Sequence, residues 1–195
     1  EVVAYWFSQA NLLPILLILK VIIIMLSVYL TIKIVPKENS SLTLIVGFIF
    51  LHVLRERLEL RPEIFSFLFT AITYYILETS LRANNWKLIF LLPLIQLVWI
   101  NTHIYFFVGL TLQAIFILHL TYLSFRDKFS VGKVWILAMI FISSILVSLI
   151  NPSGVKGLLY PLNVSKNYGY TIVENQTMFL LESIQFKNPN FLFVK

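Results

Sequence analysis

Residues 88–125 run for 38 positions without one formal charge. As helix, at roughly 1.5 Å per residue, that run is about 57 Å long, close to two crossings of a hydrocarbon core roughly 30 Å thick. A hairpin of two membrane spans accommodates it, whereas a single buried helix of that length has no place in a soluble domain. The rest of the chain agrees. Only 12% of its residues are charged and 59% are apolar, against about 25% charged in soluble domains.

The apolar runs divide into about six spans at residues 12–33, 42–55, 63–80, 87–101, 104–124 and 132–150. The expected fold is all-α, a polytopic transmembrane helical bundle over residues 1–150. An outer loop and interfacial segment, 151–195, would then lead to a further span. Barrel strands alternate apolar and polar side chains, and Val21-Ile22-Ile23-Ile24-Met25-Leu26 does not. The chain opens without Met and stops in an apolar run, which reads as an internal fragment of a longer protein.

A net charge of +6 invites a nucleic-acid reading, but the basic residues form no stripe on a polar surface. They act better as topology signals. Alternate linkers collect Lys33, Lys37, Arg82, Lys87, Arg126, Lys128 and Lys133 on one side, and Arg55, Arg57 and Arg61 on the other. The richer side is expected to be cytoplasmic, with residues 1–11 and 151–190 outside. Spans 42–55 and 87–101 are short and both end on the outer side, which points to an outward-facing polar cavity.

Several polar residues sit where lipid would penalise them. Asn101 and His103 occupy a hairpin tip in Trp99-Ile100-Asn101-Thr102-His103. Either they cap the returning helix and meet the interface, or they line a cavity and contact a substrate phosphate or sugar hydroxyl. Arg55, Arg57 and Arg61 form a dense run with Glu56 and Glu59. That run is either a self-paired turn or a phosphate site, since guanidinium forks bind phosphate bidentately. Lys20 lies about 12 Å inside the first span. It either snorkels outward or serves a function there. After Asn151-Pro152-Ser153-Gly154 closes the sixth span, Leu158-Leu159-Tyr160-Pro161-Leu162 has the composition to lie flat in the interface. Glu174, in the outer loop beyond it, is either a solvated carboxylate or a ligand for a divalent metal ion or a sugar hydroxyl. Asp127 is the only aspartate, and there is no cysteine. No Gly-rich phosphate loop, His-Glu-x-x-His pair or catalytic triad is evident.

The order of these elements resembles the GT-C superfamily of membrane glycosyltransferases, in a poorly characterised bacterial branch. Arg61-Pro62-Glu63-Ile64-Phe65-Ser66 precedes a span, Trp99-Ile100-Asn101-Thr102-His103 turns a hairpin, Asn151-Pro152-Ser153-Gly154 follows the sixth span, and a Glu174 loop comes last. Thr171-Ile172-Val173-Glu174 is also similar to the Thr-Ile-x-Glu element of bacterial oligosaccharyltransferases. The resemblance implies a bacterial plasma-membrane enzyme that transfers sugar from a polyprenyl-phosphate or polyprenyl-pyrophosphate donor at the outer face. Set beside the reading of the residues, donor-phosphate contacts are expected at Arg55, Arg57, Arg61 and Lys20 and substrate contacts at Asn101, His103 and Glu174, of which the resemblance itself implies only the polar-site role of Glu174. The superfamily's key acidic residue usually follows the first span, so here it is expected upstream of residue 1. The catalytic base is accordingly unassigned, and a divalent metal ion is an open requirement. The alternatives are a transporter or flippase subunit, whose mark would be related halves with broken helices, and a non-catalytic membrane scaffold.

Overall fold

Long unbranched and β-branched apolar runs leave the backbone one good option in lipid, because a helix satisfies every N–H and C=O within its own segment. The computed structural model describes residues 13–34, 41, 44, 45, 47, 48, 62–82, 84–126 and 130–163, and no strand occurs among them. Its helices are α1 (Leu13–Ile34), α2 (Glu63–Arg82), α3 (Leu92–Ile100), α4 (Phe107–Phe125), α5 (Val131–Val147) and α6 (Gly154–Asn163). Three helical segments are long and apolar enough to cross a membrane: Pro14–Ile34, Glu63–Arg82 and Ile104–Phe125. Leu88–Ile100 and Val131–Val147 are shorter apolar helices. The segment expected at 42–55 lies outside the described residues except at 44, 45, 47 and 48, which are helical.

Pro93 explains the form of the short fourth segment. It sits in the first turn of α3, where its missing N–H costs no hydrogen bond. The chain enters through a 3-10 turn at Leu88–Leu91. Four residues at roughly 2.0 Å and nine at roughly 1.5 Å give about 21 Å, so this segment is shorter than the hydrocarbon core.

Two ends of the bundle can be told apart. At one, Arg82 Nη1 donates to the Ile34 carbonyl at 2.9 Å, and Lys133 reaches the Asn84 side chain. This gathers the C-terminal ends of α1 and α2 with the start of α5, so α1 and α2 run parallel. Ile34 and Glu63 therefore lie at opposite ends. At the other end, Asn101 Nδ2 donates to the Ile150 carbonyl at 2.9 Å, joining the end of α3 to the end of α5. The alternation expected of the basic linkers appears here as Arg82 and Lys133 sharing one end, away from the Asn101–His103 tip.

Polarity is distributed inside out relative to a water-soluble bundle. Ser27, Ser66, Thr73, Ser80, Gln96, Gln113, Ser144 and Ser148 are buried, while Ile18, Met25, Phe90, Leu118, Trp135 and Leu146 are exposed. An aqueous surface would not carry such a belt, and lipid contact suits it. Inside, an apolar cluster of Ile76, Leu77, Ile89, Leu92, Phe116, Leu120, Leu137 and Ile140 joins α2, α3, α4 and α5 toward the Arg82 end. Nearer the opposite end the seams are polar. Ser144 Oγ donates to Gln113 Oε1 at 3.0 Å across α4 and α5, and Gln96 Nε2 donates to the Phe106 carbonyl at 3.1 Å. Such interhelical bonds hold packed membrane helices at about 0.6 kcal/mol each. Gly109 lets α4 approach α3 closely, its backbone lying against Gln96 and Trp99.

Candidate functional site at the His103 end

The tip between α3 and α4 is set by two amides that both donate to the Trp99 carbonyl, from Thr102 at 2.9 Å and from His103 at 3.0 Å. His103 then takes an extended backbone and begins a 3-10 turn, Ile104–Phe106. Extension swings its ring away from the α3 axis toward the first turn of α2.

There Ser66 holds the centre of a three-residue hydrogen-bonded chain. The indole Nε1–H of fully buried Trp99 donates to Ser66 Oγ at 2.9 Å. Ser66 Oγ lies 2.9 Å from His103 Nδ1. The Tyr105 amide also points at Nδ1, at 3.5 Å. An amide can only donate, so Nδ1 is the acceptor, Ser66 supplies its hydroxyl proton to it, and the ring proton sits on Nε2. The imidazole is packed edge-on against Tyr105, with ring centroids 4.7 Å apart. Burial lowers the His103 pKa from its ordinary 6.5, and the neighbouring Glu63 carboxylate opposes part of that shift. The neutral tautomer fixed by geometry is therefore also the protonation state that burial favours. Its Nε2–H is a donor suited to an anionic or hydroxyl oxygen.

Glu63 is itself buried, at the first position of α2, where a carboxylate gains from the positive end of the helix dipole. Together Glu63, Ser66, Trp99 and His103 give the end of an apolar bundle a polar centre drawn from α2, α3 and the tip.

The expected site residues are distributed as follows. His103 belongs to this centre. Asn101 is exposed and has a structural task, its Nδ2 donating to the Leu97 and Ile150 carbonyls at 2.8 and 2.9 Å. It is thus the helix-ending residue of α3 and its tie to α5. Lys20 does not snorkel: it is 5% exposed, on the inward stripe of α1 with Leu16, Ile23, Ser27 and Ile34, and it has a partner in the chain. Arg55, Arg57, Arg61 and Glu174 lie outside the described residues, while Asn101 and His103 bond to different partners, Ile150 and Ser66. Among the described residues no group of three or more His, Cys, Asp or Glu forms a metal site.

Ser66, Trp99 and Glu63 were not singled out as site residues by sequence reasoning. The signal for two of them was present: Glu63 and Ser66 are three apart, hence on one face of the opening turn of α2. Nothing in sequence pairs Ser66 with His103, 37 residues away. The chain matches no protein-family model, no curated protein and no solved structure.

Proposed function

We propose that the chain is part of a membrane glycosyltransferase of GT-C type, which uses a polyprenyl-phosphate-linked or polyprenyl-pyrophosphate-linked sugar at the outer face of a bacterial plasma membrane. The observation that carries this reading is the hydrogen-bonded chain from Trp99 through Ser66 to His103 at one end of a bundle whose outer surface is apolar. A lipid-linked donor keeps its tail in hydrocarbon and offers its phosphate and sugar at the membrane boundary. A neutral imidazole that carries its proton on Nε2 can donate to a phosphate or sugar oxygen without the cost of burying a charge. In the same reading Arg55, Arg57 and Arg61 neutralise the departing phosphate. Glu174 contacts the sugar, and an acidic residue elsewhere deprotonates the acceptor hydroxyl.

The test is donor turnover. Full-length protein is given labelled polyprenyl-phosphate and polyprenyl-pyrophosphate sugars, and release of the lipid phosphate is followed. Turnover that falls strongly in His103→Ala, Arg61→Ala and Glu174→Gln, with each variant folded, is the expected result. Absence of turnover with every donor, together with substrate flux across vesicles, would replace this reading with a transporter.

A further inference from the structure

Helix α6 turns the wrong face outward for a helix that packs on its own protein. Its apolar side chains, Val155, Leu158, Leu159 and Leu162, fall at i, i+3, i+4 and i+7 and so form one stripe. None of α6 is buried, and Val155, Leu159 and Leu162 are exposed. The side that meets the bundle is made mostly of small residues instead, with Leu158 half-buried at the edge between that side and the stripe. Gly154, Gly157 and Pro161 are half-buried, and α6 packs on the 3-10 turn Ile104–Phe106.

The orientation is locked by a clasp at Asn151. Its Nδ2 donates to the Ser148 and Gly154 carbonyls, each at 2.9 Å, and its Oδ1 accepts from the Ser153 amide at 2.9 Å. A Cβ built on Gly157 would fall 2.1 Å from Asn151 Oδ1, so only glycine lets the helix close on the clasp. Helix α5 likewise exposes an apolar flank, Trp135, Met139, Ile142 and Leu146, and the segment after it exposes Leu149 and Ile150. Lys156 and Tyr160 are exposed beside the α6 stripe. Lysine and tyrosine favour the headgroup level, with apolar stems inward and polar tips in water.

We propose that α6 is an in-plane membrane anchor. Its Val155–Leu158–Leu159–Leu162 stripe lies in the boundary between acyl chains and headgroups, and through the Ile104–Phe106 turn it holds the His103 tip at headgroup depth. The partner is the lipid surface itself, and the inference stands whether or not the site transfers sugar.

The chain contains no cysteine, so single cysteines can carry a nitroxide label without background. The full chain is reconstituted in phosphatidylcholine–phosphatidylglycerol vesicles, labelled at Leu159→Cys, Leu162→Cys, Lys156→Cys or Thr102→Cys, and probed by power saturation against oxygen and a nickel chelate. Labels at 159 and 162 are expected to meet oxygen in preference to nickel, at a depth of about 5–10 Å below the phosphates. The label at 156 should meet nickel, and the label at 102 should read at phosphate level. Nickel access exceeding oxygen access at 159 and 162 overturns the anchor. Exclusion of both reagents from those positions overturns it in favour of a protein cover, and spin–spin broadening that vanishes on dilution with unlabelled chain would identify that cover as a second copy. A label at 102 deep in hydrocarbon, or free in bulk water, overturns the placement of the tip.

Discussion

Substituting Gly109 by alanine tests how the polar end is held together. The added Cβ would lie 2.7 Å from Gln96 Oε1, 2.8 Å from Trp99 Cζ3 and 3.1 Å from Trp99 Cε3. Ordinary contacts between carbon atoms fall at about 3.5–4.0 Å, so the indole or α4 must shift by about 0.7 Å. The indole has little room: it is fully buried, packs on Phe69 at a centroid distance of 5.6 Å, and is tethered to Ser66 Oγ. Overpacking of this kind costs about 1–3 kcal/mol, and weakening the Trp99–Ser66 bond adds about 1 kcal/mol. The better helix propensity of alanine returns about 1 kcal/mol. The net loss is about 1–3 kcal/mol, read as a lowered midpoint in detergent-denaturation titrations followed by tryptophan fluorescence. Gly132→Ala is the control, because a Cβ there meets nothing nearer than Ser130 Oγ at 3.6 Å, and its midpoint should hold or rise. A Gly109→Ala midpoint equal to that of Gly132→Ala would refute the close packing of α3 on α4.

Three further outcomes follow from the same contacts. Because burial depresses the His103 pKa below 6.5, the unfolded chain takes up the proton first as pH falls. The stability contributed by neutral His103 is therefore complete above about pH 6.5 and is lost as pH falls from there toward the depressed value; denaturation midpoints at pH 7.5 and 5.5 should differ, and the difference should shrink in His103→Gln. Glu63→Gln removes the charge that favours imidazolium and should lower the His103 pKa further, with a rise in a ring-carbon NMR titration counting against the assigned proximity. Ser144→Ala strands the carbonyl oxygen of buried Gln113 and should destabilise by about 1–3 kcal/mol, whereas the double variant Gln113→Leu/Ser144→Ala should recover most of that loss in the same detergent titration.

The helices were largely legible because their signal is local. The uncharged 88–125 run has its one stretch of consecutive polar residues at 101–103, which specifies a hairpin, and the chain turns there at Asn101–His103. Asn151-Pro152-Ser153-Gly154, read as closing the sixth span, follows the end of α5 at Val147 and leads into α6 at Gly154. The polar centre was half legible. Asn101 and His103 stand out because lipid penalises them, yet their different partners, Ile150 for one and Ser66 for the other, depend on how α2 and α5 pack beside α3. Lys20 shows the limit most clearly. Its depth in the span follows from spacing, but whether it reaches outward or turns inward depends on what α1 packs against, and it turns inward. Apolar stripes give no help there, since nearly every face of α1 is apolar.

The most direct test of the account asks whether the two ends of the bundle lie on opposite faces of a membrane, with the His103 end outside. Ser153 and Lys87 are exposed at the two ends, and the chain has no native cysteine. Ser153→Cys and Lys87→Cys are each expressed in full-length protein and treated in intact cells with a membrane-impermeant maleimide, before and after permeabilisation. Ser153→Cys is expected to label in intact cells, and Lys87→Cys only after permeabilisation. Labelling of both from the same side would contradict the bundle as a membrane-crossing unit, and labelling of Lys87→Cys alone in intact cells would contradict an outward-facing His103 site.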